Sequence, residues 1–159
     1  MQLTALQEKI VTLAAERRIA IFAHTYQPRE IQEIASVVAD SLELARRSRD
    51  GSEKTIVLCG VHFMAESAAI LAPEKTVLLP NLDAGCPMAN MIDEASLLEF
   101  KGAHPAAPVV TYVNSSARVK ALSDVCCTSA NALAMVRNVP AREVIFTPDK
   151  FLGGWVQEK

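Results

Sequence analysis

The sequence predicts an α/β protein built from two similar units, each a short parallel sheet between helical layers. Three observations carry that reading. Short β-branched runs alternate with stretches of helical character. Most of the runs are continuously apolar rather than alternating, as in strands covered on both faces. The resulting βαβ rhythm implies parallel pairing with right-handed crossovers. Of the 159 residues, 50% are hydrophobic and 21% are charged, enough apolar material for a real core. The same values exclude a disordered chain, a collagen and a coiled coil.

The first helix is expected over Ala5–Glu16, with Thr4 as its cap and Gln7 completing a capping box. Strands are expected at Ile19–His24, Thr55–Gly60, Thr76–Pro80, Pro108–Asn114 and Glu143–Pro148, with a short sixth at Asp124–Cys127. Pro28 suits the first turn of a helix. The spacing predicts a helical stretch over Pro28–Ser48 that breaks near Asp40. Val37 and Val38 are weak helix formers there, and Asp40 with Glu43 reads as a second capping box. Ser41 would then sit at a helix N-terminus with its N–H free. Further helices are expected over His62–Leu71, Glu94–Lys101 behind Asp93, Ser116–Leu122 and Ser129–Asn138. The chain divides into a first unit over residues 1–87, with the N-terminal helix, and a second over 88–159. Each is expected to hold about three strands, and no Pro/Gly/Ser-rich linker separates them.

Several function classes are set aside by composition. No apolar run approaches 18 residues, and the N-terminus has no signal-peptide pattern. A net charge of −2 and an aromatic content of 5% argue against nucleic acid as a partner. Four cysteines at positions 59, 86, 126 and 127 form no CxxC pair. Without a secretory signal they read as free thiols in a reducing, cytoplasmic setting.

In parallel α/β sheets ligands bind beyond the carboxyl ends of strands, and unusual polar residues recur there. His24 ends the first strand and Tyr26 follows it; Gly60 is followed by His62. The Asp83-Ala84-Gly85-Cys86 turn follows the third strand, Tyr112 and Asn114 finish the fourth, and Cys127-Thr128-Ser129 follow the short one. Each has a plainer explanation. His62 is a hydrogen-bonding strand-end residue and His104 a solvent-facing loop residue. Tyr26 could close a core with its ring. Ser41 and Ser129 could be helix caps, and Asn114 could begin a turn. Cys59, Cys126 and Cys127 read as buried small hydrophobes, whereas Cys86, in a Gly-Cys-Pro turn, could direct a thiolate at a metal. Together these residues suggest an enzyme acting on a small anion, since helix N-termini are ready anion sites.

The segments AHTYQPREIQEIA, DSLELA, CGVHFMAE, PEKTVLLPNLDAGC, VTYVNSSARVKALSDVCCTSANA and TPDKFLGGW resemble quinolinate synthase, in order, from about residue 20 to residue 155. The resemblance implies condensation of iminoaspartate with dihydroxyacetone phosphate to quinolinate, the pyridine precursor of NAD. It implies three αβα units about a pseudo-threefold axis, with the active site at their junction. It also implies a [4Fe-4S] cluster on three cysteines that leaves one iron open as a Lewis acid. Carried over residue by residue, Cys86 is the first cluster ligand, and Tyr26 the catalytic tyrosine with His24 beside the substrate. Ser41, Tyr112, Asn114 and Ser129 are substrate-binding. The family is roughly twice this length. The third unit, with the other two cluster cysteines, is therefore expected beyond Lys159, and Cys126 and Cys127 are not their equivalents. The implied partners are the two substrates, together with self-association or a separate C-terminal polypeptide. The competing readings are a metal-free binding module for small dicarboxylate or phosphate ligands, a thiol enzyme using Cys86 or Cys126, and an assembly bringing several copies of Cys86 together.

Overall fold

A computed structural model describes residues 3–159. The chain forms two compact units, one running to Ala84 and one from Gly85 to Lys159. Both are αβα arrangements around a wholly parallel sheet.

The first unit opens with α1 (Ala5–Glu16), closed by the expected capping box: Gln7 N–H donates to Thr4 Oγ1 at 3.3 Å and Thr4 N–H to Gln7 Oε1 at 2.8 Å. The buried Gln7 amide also donates to the Glu30 carbonyl at 2.8 Å, tying α1 to the segment after β1. The sheet runs β2 (Val37–Ala39), β1 (Ile19–His24), β3 (Thr55–Cys59), β4 (Thr76–Leu78). Strand β1 is central and almost entirely buried, as its unbroken apolar run requires. Phe22 of β1 packs with Ala20, Leu44 and Ile56 in the core. Three short helices make the crossovers: α2 (Arg29–Gln32), α3 (Ser41–Asp50) and α4 (His62–Leu71).

The stretch Pro28–Ser48 is not one broken helix but α2, strand β2 and α3. Val37 and Val38 pair in parallel with Phe22 and Ala23, so β-branched side chains at the sheet's edge outweigh the helical pattern around them. The first sheet consequently has four strands rather than about three. The second capping box is half formed: Asp40 Oδ1 accepts from Glu43 N–H at 2.9 Å, while the Glu43 carboxylate turns to Arg47 at 3.3 Å.

The C-terminal end of α3 is closed by a side chain from the α4–β4 turn. The Lys75 ammonium donates to the carbonyls of Ser48 and Gly51, both at 2.5 Å. A cation suits the negative end of a helix and satisfies carbonyls the helix leaves open. Lys75→Met is expected to destabilise the protein by roughly 1–2 kcal/mol, read from a shifted denaturation midpoint at unchanged slope.

The second unit repeats the pattern with α5 (Glu94–Ala103), β5 (Val109–Tyr112), α6 (Ala117–Ala121), β6 (Val125–Cys127), α7 (Ala132–Asn138), β7 (Ile145–Thr147) and α8 (Lys150–Gln157). Its sheet order is β6-β5-β7. Asp93 caps α5 as expected, accepting from Ser96 N–H at 2.8 Å. Leu97, Val109 and Val119 are fully buried on one face of the sheet; Val110, Cys127 and Ala132 form the core on the other. The buried Thr111 hydroxyl lies 2.5 Å from that of Ser123, and the buried Val109 N–H donates to Oδ2 of the exposed Asp124 at 2.8 Å.

Helix α7 starts at Ala132, not Ser129. Asn131 Oδ1 accepts from Thr128 N–H at 2.6 Å and Thr128 Oγ1 at 3.1 Å, folding 128–131 into a turn ahead of the helix. Helix α8 was not anticipated, because Gly153 and Gly154 lie inside it. Cys126 is exposed rather than buried, since β6 is an edge strand whose side chains alternate; Cys127 points inward and is buried.

Candidate functional site

Parallel pairing places the carboxyl ends of all strands of a sheet at one edge, so each unit carries its own set of strand-end residues. In the first unit these come from β1 (His24 and Tyr26), the β2–α3 junction (Asp40 and Ser41) and the end of β3 (Gly60). In the second they come from β5 (Tyr112 and Asn114) and from the turn after β6, where Ser129 lies.

His24 is 5% exposed and Tyr26 is 88% exposed. The Tyr26 N–H donates to His24 Nδ1 at 3.2 Å, and the two rings meet edge-on with centroids 4.5 Å apart. With Nδ1 accepting, the neutral imidazole carries its proton on Nε2 and presents a donor. The plainer reading of Tyr26, a ring closing the core, does not hold at that exposure.

Burial pushes the His24 imidazole below its ordinary value of 6.5, and the nearby Asp40 carboxylate partly opposes the shift. Protonation therefore opposes folding: the stabilisation is present above pH 6.5 and is lost as pH falls through the lowered value. His24→Gln is expected to flatten the fall in stability below pH 6.5, measured by urea denaturation across a pH series. An equally steep fall in the variant would place the titrating group elsewhere.

Ser41 is the first residue of α3 and is half-buried. Asp40 occupies the Glu43 N–H, leaving the first-turn N–H groups without intrahelical acceptors. Gly60 closes this corner. A Cβ there would stand 2.9 Å from Leu58, 3.0 Å from the Met64 sulfur and 3.9 Å from His24 Cβ. His62 is exposed at the start of α4, its N–H donating to the Ala84 carbonyl at 2.8 Å. His104 pairs with Glu143 at 2.8 Å on the surface of the second unit.

In the second unit Tyr112 and Asn114 are half-buried at the end of β5, and Asn114 Nδ2 approaches the Met88 sulfur at 3.7 Å. Ser115 beneath them is fully buried and donates to the Tyr112 carbonyl at 3.0 Å. Ser129 is exposed within the Thr128–Asn131 turn and not in the first turn of a helix. Cys86 is half-buried in the loop before the Ala89–Met91 turn, its carbonyl accepting from Asn90 N–H at 3.0 Å. Sequence reading took Asp40 only as a helix cap and passed over Met88. Nothing in DSLELA distinguishes an Asp that also faces a histidine, and a methionine two residues after a cysteine carries no signal of its own.

The described residues do not by themselves fit a three-thiolate iron-sulfur group. No group of three His, Cys, Asp or Glu residues is placed to hold a metal among them. The other thiols lie in environments that oppose the thiolate. Burial raises the Cys59 thiol; desolvation by the surrounding protein raises the Cys126 thiol too, although its side chain reaches solvent, and Lys120 partly opposes that; burial with the neighbouring Cys126 pushes Cys127 up to about 11. Those shifts also count against Cys126 as an activated nucleophile.

The model of the NadA family, described as quinolinate synthetase A protein, matches residues 8–159. The chain is 55% identical to a quinolinate synthase of Geobacter metallireducens over 159 residues, all of this chain and 52% of that protein. It is 57% identical to one of Dehalococcoides mccartyi over 152 residues, 96% of this chain and 50% of that protein. A quinolinate synthase of Thermodesulfovibrio yellowstonii is 54% identical over 151 residues, 95% of this chain and 50% of that protein. The chain thus spans about half the length of the curated relatives it matches.

Proposed function

The chain belongs to the quinolinate synthase family, and from that premise we propose that it supplies two of three units of an enzyme condensing iminoaspartate with dihydroxyacetone phosphate to quinolinate, in the synthesis of NAD. The observation that carries the proposal is the grouping of donors at the carboxyl edges of both sheets. His24, Tyr26 and Ser41 lie at one, and Tyr112, Asn114 and Ser129 at the other. In this reading Tyr112, Asn114 and Ser129 hold carboxylates through neutral donors. Ser41 and the first turn of α3 hold an anionic group at the positive end of the helix. His24, neutral and donating from Nε2, binds and polarises a substrate oxygen. The exposed Tyr26 hydroxyl moves a proton during isomerisation or ring closure.

Cys86 is proposed as one cluster ligand, the remaining ligands coming from sequence this chain does not carry. Iron and acid-labile sulfide, measured on protein purified without oxygen in its assembled form, test that role. About four irons per assembly, lost in Cys86→Ala, are expected. Iron retained in that variant would remove Cys86 from the ligand set.

A second reading rests on the neutral donors at the strand ends alone, Tyr112 and Asn114 after β5 and Ser41 at the start of α3. The isolated chain then acts as a binding module for small dicarboxylate or phosphate ligands. Calorimetric binding of such a ligand to iron-free protein, weakened by Asn114→Ala, would support it.

A further inference from the structure

Lys75 and Lys101 both hold the carbonyls that a helix leaves open at its C-terminal end. Lys75 does so at the end of α3, and Lys101 Nζ donates to the Leu122 carbonyl at 2.7 Å, at the end of α6. A cation is favourable there, because that end of a helix is negative. Lys120 breaks the pattern. It lies in α6 itself, is half-buried, and turns back toward the start of its own helix. Its Nζ donates to the Ser115 carbonyl at 2.9 Å, one residue ahead of Ser116, the N-cap. A cation gains nothing from the helix at that end, so the helix is not what Lys120 serves.

What it does hold is the turn that carries Asn114. The Val113 N–H donates to the Cys127 carbonyl at 2.9 Å, which continues the β5–β6 pairing past Tyr112. The Tyr112 ring packs against the buried Val110, Cys127 and Ala132. On the far side, the Val119 N–H donates to the Ser116 hydroxyl at 3.3 Å and starts α6. Between these anchors the fully buried Ser115 is bonded twice: its hydroxyl donates to the Tyr112 carbonyl at 3.0 Å, and its carbonyl accepts from Lys120. The Asn114 side chain has no such anchor. Among the described residues its amide meets the Met88 sulfur at 3.7 Å, a weak acceptor. The direction of that amide is therefore set by the backbone of the turn, and the turn by Ser115 and Lys120.

We propose that Ser115 and Lys120 are positioning residues, which fix the β5–α6 turn in the conformation that aims the Asn114 amide at a ligand carboxylate. The inference rests on the assignment of Asn114 to carboxylate binding made above. An amide held in place by its backbone, with only a weak acceptor to give up, loses little freedom and breaks no strong bond when a carboxylate arrives. Neither residue touches the ligand in this reading, and both act through Asn114.

The test is calorimetric binding of quinolinate, a dicarboxylate, to the assembled enzyme purified without oxygen. Asn114→Ala, Lys120→Met and Ser115→Ala are each expected to weaken binding by about five- to twentyfold, with turnover at saturating substrate within about threefold of the native enzyme. Residues that act through another do not add to its loss. Lys120→Met placed on Asn114→Ala is therefore expected to weaken binding by less than about twofold more, and Ser115→Ala likewise. An equal loss from Lys120→Met with and without Asn114 overturns the proposal, since the lysine then acts elsewhere. So does native affinity in both Lys120→Met and Ser115→Ala beside a weakened Asn114→Ala. Native affinity in Asn114→Ala itself removes Asn114 from the site, and the proposal falls with that assignment.

Discussion

In an assembly that forms quinolinate, Tyr26→Phe is expected to lower turnover by about 10²- to 10⁴-fold while ligand affinity stays within about threefold. The substitution removes a single oxygen. The ring is 88% exposed, so no core packing is lost, and its edge-on contact with His24 at 4.5 Å is available to phenylalanine as well. The hydrogen bond that sets the His24 tautomer comes from the Tyr26 backbone and survives the change. In the proposed role, what is lost is proton movement at the hydroxyl. Steady-state turnover and calorimetric affinity on the same preparation separate the two effects. Equal losses in both would make Tyr26 a binding residue.

The largest stability effect is expected at Phe22. It is 2% exposed at the middle of β1 and packs with Ala20, Leu44 and Ile56, so the sheet and α3 meet on it. Phe22→Ala is expected to cost roughly 3–5 kcal/mol, the sum of lost burial and an unfilled cavity. That is a large share of the whole stability of a domain this size. Because His24 lies two residues further along the same strand, the loss also loosens the strand end that positions His24 and Tyr26. Urea denaturation followed by circular dichroism measures it. A loss under 1 kcal/mol would mean that the cavity collapses without strain.

The fold was legible where one signal was strong. Ile19–His24 reads as a buried strand because nothing interrupts its apolar run, and α1 and α4 have their expected bounds. It was illegible where a short element competes with its surroundings. Val37–Ala39 is a three-residue edge strand enclosed by helical patterns, and only its pairing with Phe22, Ala23 and His24 decides its state. Helix α8 contains two glycines, and it holds because Asp149 caps it twice, through Phe151 and Leu152 N–H, while Gly153 allows close approach to Phe146. The strand-end rule placed His24, Tyr26, Tyr112 and Asn114 because chain order dictates which residues follow a strand, whereas Ser41 followed from the Asp40 cap. It could not give the exposure of Tyr26, the tautomer of His24 or the turn that holds Ser129 ahead of α7. Those depend on side-chain hydrogen bonds between residues two or three apart.

Quinolinate formation is the most direct test. This chain, combined anaerobically with the unmatched half of the Geobacter metallireducens relative, is supplied with iminoaspartate and dihydroxyacetone phosphate, and quinolinate is measured. Product is expected that requires this chain and falls sharply in Tyr26→Phe. Product formed equally well with Tyr26→Phe, or no product from an assembly carrying its full complement of iron and sulfide, would contradict it.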